Sequence, residues 1–354
     1  MPDRLKFQSL EGLRGILALL VCLGHFGLNT ATAHVGISVR FGLAVDVFFA
    51  LSGFVLSYSN YFGRKPVERF AIGRFARLYP LYIASLLFMA ALLYLTARQF
   101  HGPFFFESIF FLSDMGFPPY DDGINMPSWS IPTEVWISVL FFFVCRKSSM
   151  ALAIGCLVLC LGIVVAVPDL PNMGRTNLLW VFNVAPLRGV VGFTIGVAAF
   201  AIFERTKGRW SRIWTVGAYI GPLLLAVIFC LPTWTEATYL AFCATTFVTL
   251  LCLAHYDRNV FLANRVSVGA GAISYSVYLL HVPIFALMAV VFGNGTMHGI
   301  SKLLYFPTVI LVSIACHRYF EMPAQAWVLR RVGYRGSQDR GELSVPAPSP
   351  LPEP

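Results

Sequence analysis

Long apolar runs alternate with short polar segments along almost the whole chain. A helix needs about 20 apolar residues to cross the hydrocarbon core of a bilayer, and the pattern predicts ten such spans. Their approximate bounds are 10–29, 42–61, 78–97, 129–145, 149–167, 181–203, 213–231, 237–254, 268–291 and 301–320. The predicted fold class is therefore all-α, a polytopic transmembrane bundle of about ten helices that occupies residues 1–335.

Two segments depart from this pattern. Residues 104–117 are rich in Phe but carry Glu107 and Asp114, so we expect them to lie at the outer interface or to dip back into the membrane rather than to span it. From residue 336 the chain is rich in Pro, and residues 336–354 are expected to form a disordered cytoplasmic tail.

Composition and charge agree with a membrane location. Hydrophobic residues make up 57% of the chain and charged residues only 12%, with a mean hydropathy of +0.72, which is more apolar surface than a soluble core buries. The net charge of +9 does not indicate nucleic acid, because the basic residues form short clusters between apolar runs rather than one continuous face. Most clusters fall on alternate connections, which predicts an even number of spans with both termini in the cytoplasm.

The first span has an alternative interpretation as a cleaved signal peptide. A basic start, an apolar run and the small residues 31–33 have the layout of such a peptide. Its removal would leave an odd number of spans and disrupt the charge pattern, so we favour a retained helix. The eight Cys lie mostly within apolar runs and lack C-x-x-C or Cys/His spacing, so they predict packing residues and no metal site.

Ionisable side chains inside apolar spans are costly, and they usually face a bundle interior or a watery cavity and mark function. Arg14 and His25 are eleven positions apart, which places them on one helix face with roughly 16 Å between them along the axis. Arg14 then lies near the cytoplasmic end of the span and His25 in its outer half. The residues predicted at the depth of His25 are Asp46, Glu134, Tyr278 and His281.

A second, inner layer is predicted at the cytoplasmic mouth of the first three spans. It holds Arg14, Arg69, Arg74 and Arg77. Arg offers a fixed fork of donors that matches phosphate oxygens, so this layer suits a polyanionic ligand. A plain positive-inside signal is the alternative for the cluster, and a structural hydrogen-bonding role is the alternative for Asp46 and His281.

Six segments occur in one order between about residues 8 and 330. They are SLEGLRGILALLVCLGHF, VDVFFALSGFVLS, RFARLYPLY, WSIPTEVW, ISYSVYLLHVPI and RYFEMPAQAW. In these segments the chain resembles the acyltransferase-3 family of bacterial integral membrane O-acyltransferases. The resemblance implies a ten-helix bundle in the bacterial inner membrane that uses acyl-CoA, usually acetyl-CoA, to acylate hydroxyls of saccharides or other extracytoplasmic or lipid-linked acceptors.

The resemblance also implies particular site residues. The family signatures fall on Arg14 and His25 (Arg-x10-His), on Arg74, Arg77, Tyr79 and Pro80 (Arg-x-x-Arg-x-Tyr-Pro), and on Trp129, Ser130 and Glu134 (Trp-Ser-x-x-x-Glu). Pro132 is not a position that the family fixes, so the local helix geometry there stays open. Some members carry a further SGNH hydrolase-like domain, and none is expected after residue 354.

These observations predict acyl transfer to a hydroxyl inside the membrane. His25 is the expected general base, because imidazole titrates near neutral pH, with Glu134 or Asp46 to orient it. The predicted donor site for acyl-CoA consists of Arg14, Arg74, Arg77 and Tyr79. Further candidates near the acceptor are Trp129, Ser130, Tyr278, His281 and Ser52. Acyl-CoA, a saccharide acceptor and lipid are the expected partners, with no nucleic acid, no metal and no permanently bound cofactor.

Two alternatives stay open at this stage. His25 could itself be acylated in a two-step route. A proton-coupled transporter or exporter would use the same intramembrane His, Asp and Glu, although many transporters show internal repeats and this sequence has none. The sequence contains no pattern that identifies the acceptor, the acyl chain length, the side of the membrane on which the acceptor binds or the oligomeric state.

Overall fold

A computed structural model describes most of the chain: residues 7–27, 39–63, 66–96, 102–113, 124–147, 149–167, 177–178, 182–183, 185–209, 211–231, 234–293 and 300–332. The α-helices are α1 (Gln8–His25), α2 (Leu43–Gly63), α3 (Val67–Leu95), α4 (Gly102–Ile109), α5 (Ser130–Phe141), α6 (Met150–Ala166), α7 (Ala185–Thr206), α8 (Arg212–Phe229), α9 (Glu236–His255), α10 (Arg265–Ala272), α11 (Ser274–Gly293), α12 (Ile300–Cys316) and α13 (Met322–Arg331). Short 3-10 turns cover Met126–Trp129 and Val144–Arg146, and a π-helical turn covers His317–Glu321. A two-residue antiparallel ladder pairs β1 (Asn177–Leu178) with β2 (Phe182–Asn183).

Every predicted span overlaps a helix, and several differ from it in their bounds. The span predicted at 129–145 is α-helical only to Phe141, and the span predicted at 181–203 begins with β2 before α7 starts at Ala185. Helix α3 begins at Val67, well before residue 78, because the basic stretch continues the helix beyond the apolar run. The span predicted at 268–291 is divided between α10 and α11, which are separated at Ile273. The last span runs on through the π-helical turn into α13. The apolar pattern therefore located the helices correctly. Their ends were less predictable, because some helices continue into polar sequence beyond the apolar run.

The helices have the length and surface of a membrane bundle. Those long and apolar enough to cross a membrane are Val67–Leu95, Pro186–Thr206, Arg212–Phe229, Glu236–His255, Ser274–Phe292 and Ser301–Arg331, with Leu43–Ser59 and Met150–Ala166 as shorter apolar helices. Leu223 and Val227 on α8 are more than half exposed, as expected of side chains that face lipid. The chain is a multi-pass helical membrane protein. The count of ten crossings and the cytoplasmic placement of both termini remain predictions.

Helices α2 and α7 make the closest contact in the core. A Cβ atom on Gly196 would lie 2.0 Å from the carbonyl oxygen of Ala50, and one on Gly53 would lie 2.5 Å from that of Phe193. Small residues let membrane helices approach to backbone contact. This approach brings Asp46 of α2 opposite Arg188 of α7.

Helix α1 is fixed at its start by the loop after α9. The backbone N–H groups of Gln8 and Ser9 donate to the two carboxylate oxygens of Asp257, at 2.9 and 2.6 Å. These groups have no partner within their own helix, so a carboxylate at this end is stabilising. Further along, a Cβ on Gly15 would meet the backbone nitrogen of Gly271 at 2.5 Å, so α1 lies directly against α10.

The described part of segment 104–117 is held between α3 and α5. The Tyr82 hydroxyl donates to the carbonyl of Ser108 at 2.9 Å, and Trp136 Nε1 donates to that of Phe111 at 2.8 Å. Helix α4 has eight residues, too few to span a membrane. Residues 114–117, the small residues 31–33 and the predicted tail 336–354 lie outside the described part of the chain.

Candidate active site

Two histidines meet between α1 and α11. His25 Nδ1 lies 3.0 Å from His281 Nε2, and the rings stack with centroids 5.1 Å apart. His281 is fully buried, and its Nδ1 lies 3.1 Å from the carbonyl oxygen of Val277. The expected convergence of His25 and His281 is therefore present in the structure.

The backbone carbonyl determines which nitrogens carry protons. A carbonyl oxygen only accepts, so His281 Nδ1 must be the protonated nitrogen that donates to Val277. In a neutral His281 ring, Nε2 is then an acceptor, and His25 must donate to it through Nδ1–H. The lone pair of a neutral His25 then resides on Nε2. The pair thus presents one basic nitrogen, with its tautomer fixed by hydrogen bonds.

A pair of hydroxyls lies next to the two imidazoles. The Tyr278 and Ser130 oxygens are 2.9 Å apart, and the Tyr278 and His281 rings are 6.3 Å apart between centroids. Both hydroxyl residues are buried. The short turn Met126–Trp129 sets Ser130 at the start of α5, opposite the Tyr278 face of α11. The predicted grouping of Ser130, Tyr278 and His281 is thus seen in the fold.

Asp46 has a different partner from the one expected. Its two carboxylate oxygens accept from Arg188 Nε at 3.1 Å and Nη2 at 2.6 Å, and Nη2 also donates to the carbonyl of Gly42 at 3.2 Å. The Arg188 guanidinium lies over the ring of Trp129, 5.4 Å from its centroid. Both members of the ion pair are buried. Asp46 therefore neutralises a buried Arg and makes no contact with His25.

Glu134 also has a different partner. Its Oε1 accepts from Arg74 Nη2 in a short ion pair and from the Ser52 hydroxyl at 2.8 Å. We expected Glu134 in the outer layer beside His25 and Arg74 at the cytoplasmic mouth, and this depth assignment was wrong. Helix α3 begins at Val67 rather than near residue 78, so Arg74 lies within the helix and reaches Glu134, one turn into α5. Among the described residues, the side chain that meets His25 Nδ1 is His281, and neither Glu134 nor Asp46 contacts it.

Three of the four Arg residues predicted in the basic cluster, Arg14, Arg74 and Arg77, lie close together, whereas Arg69 is exposed near the start of α3. Arg14 donates to Ser274 Oγ and to the carbonyl of Gly271, both at 3.0 Å, and pairs with Glu11 at 2.6 Å. Arg77 interacts electrostatically with Arg14, Arg74, Glu11 and Glu134. Within the described residues, however, no carboxylate lies within ion-pair distance of Arg77. Of the positive charges in this cluster, that of Arg77 is therefore the least compensated by neighbouring groups.

Tyr79 lies apart from this cluster. Its ring stacks on Phe75 at 4.4 Å between centroids and meets the edge of Phe111 at 5.4 Å. Two positions along a helix turn a side chain by about 200°, so Tyr79 and Arg77 face opposite sides of α3. The predicted grouping of Tyr79 with the Arg residues is therefore corrected: Tyr79 anchors the segment that follows α4.

Two polar groups were missed by the sequence-based prediction. Arg188 lies within the span predicted at 181–203 and was given no role, although an intramembrane Arg marks a functional site by default. Glu321 accepts from Ser276 at 2.7 Å and contacts His317 Nδ1 at 3.0 Å within the π-helical turn. Among the described residues, no group of three or more His, Cys, Asp or Glu side chains has the arrangement of a metal site.

Comparison with known proteins supports the motif-based resemblance. A family model described as an acyltransferase domain matches residues 7–318. The chain is 27% identical over 333 residues to Acyltransferase MdmB of Streptomyces mycarofaciens, which covers 84% of this chain and 83% of that protein. It is 43% identical over 100 residues to Protein 2 in picA locus of Rhizobium radiobacter, which covers 25% of this chain and 46% of that protein. No solved structure matches significantly.

The family match covers the first five of the six segments in full and ends at Arg318, the first residue of the sixth. It includes α1 with both Arg14 and His25, the basic stretch of α3, the start of α5 and the His281 turn of α11. The chain belongs to the acyltransferase-3 family of membrane acyltransferases.

Proposed function

We propose that this protein transfers an acyl group, acetyl in the first instance, from acyl-CoA to a hydroxyl of a saccharide or lipid-linked saccharide in the bacterial inner membrane. The family supports acyl transfer in a membrane, and the Streptomyces relative is named an acyltransferase. The observation that carries the proposal is the contact between His25 and His281, because it supplies a neutral imidazole with a defined basic nitrogen.

In the proposed reaction the acceptor hydroxyl gives its proton to His25 Nε2 as its oxygen attacks the thioester carbonyl. The imidazolium that forms keeps its Nδ1–H bonded to His281, which stabilises the positive charge. The tetrahedral intermediate then collapses, the C–S bond breaks, and the CoA thiolate takes the proton back from His25. The Tyr278–Ser130 pair is our candidate donor to the oxyanion, since it adjoins the imidazoles.

The donor would enter from the side of the Arg cluster. The phosphates of CoA would bind Arg77, Arg14 and Arg74, whose guanidinium groups match phosphate geometry. The pantetheine arm would then extend along α1 toward His25, over the roughly 16 Å of helix between Arg14 and His25. In this arrangement Glu134 positions Arg74 for the donor rather than acting on His25.

Product analysis tests this function. The purified protein in nanodiscs is incubated with acetyl-CoA and a panel of saccharides, and acetylated products are detected by mass spectrometry. We expect an acetylated saccharide from the wild type and none from His25→Ala. His255→Ala is the matched control, because that membrane His bonds to Thr206 at 2.9 Å and stacks on Trp214, away from the His pair. A His25→Ala variant with wild-type yield would contradict the proposal.

A further inference from the structure

Three backbone carbonyls in the turn of α11 around His281 accept hydrogen bonds from side chains. The Val277 carbonyl accepts from Nδ1 of His281 itself at 3.1 Å. The Leu279 carbonyl accepts from Asn125 Nδ2 at 2.9 Å. The His281 carbonyl accepts from the Tyr305 hydroxyl at 3.0 Å. Asn125 precedes α5 in the chain and Tyr305 lies on α12, so two other parts of the fold contact this one turn.

A proline within α11 explains the bond from Asn125. In a regular α-helix the N–H of residue 283 would donate to the carbonyl of Leu279, but Pro283 has no N–H. Asn125 Nδ2 supplies the missing donor. Both Asn125 and Leu279 are buried, so the replacement comes from the protein rather than from bulk water. Asn125 therefore completes the backbone hydrogen bonding of the helix two residues before His281.

Tyr305 joins the helix that carries His281 to the helix that carries His25. It is fully buried, and its one hydroxyl hydrogen goes to the His281 carbonyl. The Cys22 thiol must therefore donate to the Tyr305 oxygen, at 3.6 Å. Cys22 lies about one turn before His25 on α1. Phe26, which directly follows His25, stacks on the Tyr305 ring with 4.5 Å between centroids. One side chain thus contacts α1 on both sides of His25 as well as the backbone of His281.

The contact between the two imidazoles depends on such support. Their nitrogens are 3.0 Å apart, and a hydrogen bond weakens steeply as its geometry departs from ideal. A displacement of either helix would leave His25 without the acceptor that holds its proton on Nδ1. Misplacement by about 1 Å can lower a catalytic rate about a hundredfold.

Resting on the proposed function, we infer that Tyr305 and Asn125 are positioning residues for the reaction. Tyr305 sets the separation of the two histidines, and Asn125 maintains the turn of α11 that carries His281. Neither touches a reacting atom in the proposed mechanism. Both act through His281, which in turn fixes the tautomer of His25.

Tyr305→Phe tests the first residue, because it removes the hydroxyl and keeps the buried ring. We expect kcat to fall about tenfold to a hundredfold with the KM for acetyl-CoA unchanged, since the base moves and the donor site does not. Tyr82→Phe is the matched control: its hydroxyl is also fully buried and also donates to a backbone carbonyl, that of Ser108 at 2.9 Å. The control should keep the wild-type kcat. Equal losses of kcat in the two variants would overturn the inference.

A double-mutant cycle with His281→Ala separates positioning from a general loss of packing. If Tyr305 acts through His281, adding Tyr305→Phe to His281→Ala should change kcat by less than about twofold, because the imidazole that it positions is already absent. Losses that multiply in the double variant would assign Tyr305 a structural role alone and contradict the inference.

The Asn125 contact is tested by rescue. Asn125→Leu leaves the Leu279 carbonyl without its donor, and we expect kcat to fall about tenfold. Adding Pro283→Ala returns a backbone N–H to that carbonyl, so the double variant should regain activity to within about threefold of the wild type. If Pro283→Ala restores nothing, Asn125 does not act through this carbonyl and its assignment fails.

Nitrogen NMR of protein labelled in its histidine rings and embedded in nanodiscs tests the inference without acyl transfer. The spectrum reports which ring nitrogen carries a hydrogen, and comparison with His25→Ala identifies the His25 signals. We expect Nδ1–H alone in the wild type and in Tyr82→Phe, and a mixture of tautomers in Tyr305→Phe. A wild-type spectrum in Tyr305→Phe would overturn the inference and leave the proposed function intact. If the spectra change as expected but the wild type transfers no acetyl group, the proposed function fails and the positioning of the histidines stands.

Discussion

His25 donates its Nδ1–H to His281 Nε2 across 3.0 Å, and the carbonyl of Val277 accepts from the far side of His281. The second imidazole therefore has the position that a carboxylate holds in Ser-His-Asp sites. A neutral partner suits a site within the membrane, because it orients the base without burying a further charge. His281 is itself held by its backbone, since Tyr305 donates to the His281 carbonyl at 3.0 Å.

Replacing His281 should lower kcat far more than it changes the KM for acetyl-CoA. We expect a loss of about 10²-fold to 10⁴-fold in His281→Ala, the range for a misplaced general base. His281→Gln should recover part of this rate, because its side-chain oxygen can accept from His25 Nδ1–H. Initial rates of CoA release measure both variants. Equal rates for the Ala and Gln variants would count against the orienting role.

Arg77 should recognise phosphate in the donor. In Arg77→Gln we expect the KM for acetyl-CoA to rise about tenfold or more, as for loss of a charge-assisted hydrogen bond. The wild type and Arg77→Gln are each assayed with acetyl-CoA and with its 3′-dephospho form. If Arg77 binds the 3′-phosphate, the variant should discriminate less between these two donors than the wild type does. Arg205→Gln is the control, since Arg205 is an exposed cation at the end of α7. Unchanged donor KM in Arg77→Gln would remove Arg77 from the site.

The Arg74–Glu134 pair should behave as a structural unit that serves the donor site. Glu134→Ala leaves Arg74 uncompensated at 11% side-chain exposure, so we expect a loss of about 3 to 5 kcal/mol in stability. The double variant Arg74→Met, Glu134→Leu should regain most of that stability but not the donor affinity. Thermal unfolding in detergent and acetyl-CoA titration measure the two effects. Wild-type donor affinity in the double variant would show that the pair is structural alone.

Gly196 should be essential to the contact between α2 and α7. A methyl group at this position would overlap the Ala50 carbonyl oxygen, which is backbone and cannot move aside. We expect Gly196→Ala to destabilise the protein by about 2 kcal/mol or more and to disturb the Asp46–Arg188 pair. Gly155→Ala on α6, where no atom lies within 4 Å, should be neutral or stabilising. Similar melting temperatures for the two variants would contradict the packing described.

The sequence predicted where the helices lie more reliably than which charges meet. Apolar run length is a local property, so every expected span overlaps a helix. The partners of Asp46 and Glu134 depend on the depth and rotation of neighbouring helices, which no local pattern encodes. Glu134 lies in the second turn of the short helix α5, and α3 begins early enough in the chain for its Arg residues to reach it. For this reason the sequence analysis placed Glu134 and Arg74 in different layers, although the two side chains form an ion pair.

Arg188 illustrates a signal that was present and not used. It is a single cation within an apolar helix, and such a residue requires a nearby carboxylate or a polar ligand. The sequence also contained Asp46 in a second apolar helix, so the pair was in principle available. By contrast, the sequence indicated only that His25 and His281 lie at a similar depth. Their hydrogen bond depends on α1 and α11 being adjacent, which no local pattern encodes.

The most direct test of the account is rapid-mixing measurement of CoA release from acetyl-CoA by nanodisc-embedded protein, with and without a saccharide acceptor. The account predicts release only when an acceptor is present, and its loss in His25→Ala while acetyl-CoA still binds. A burst of CoA without acceptor, equal in amount to the enzyme, would show an acylated His25 instead of direct transfer. Release at the same rate in the wild type and His25→Ala would contradict the central role of His25.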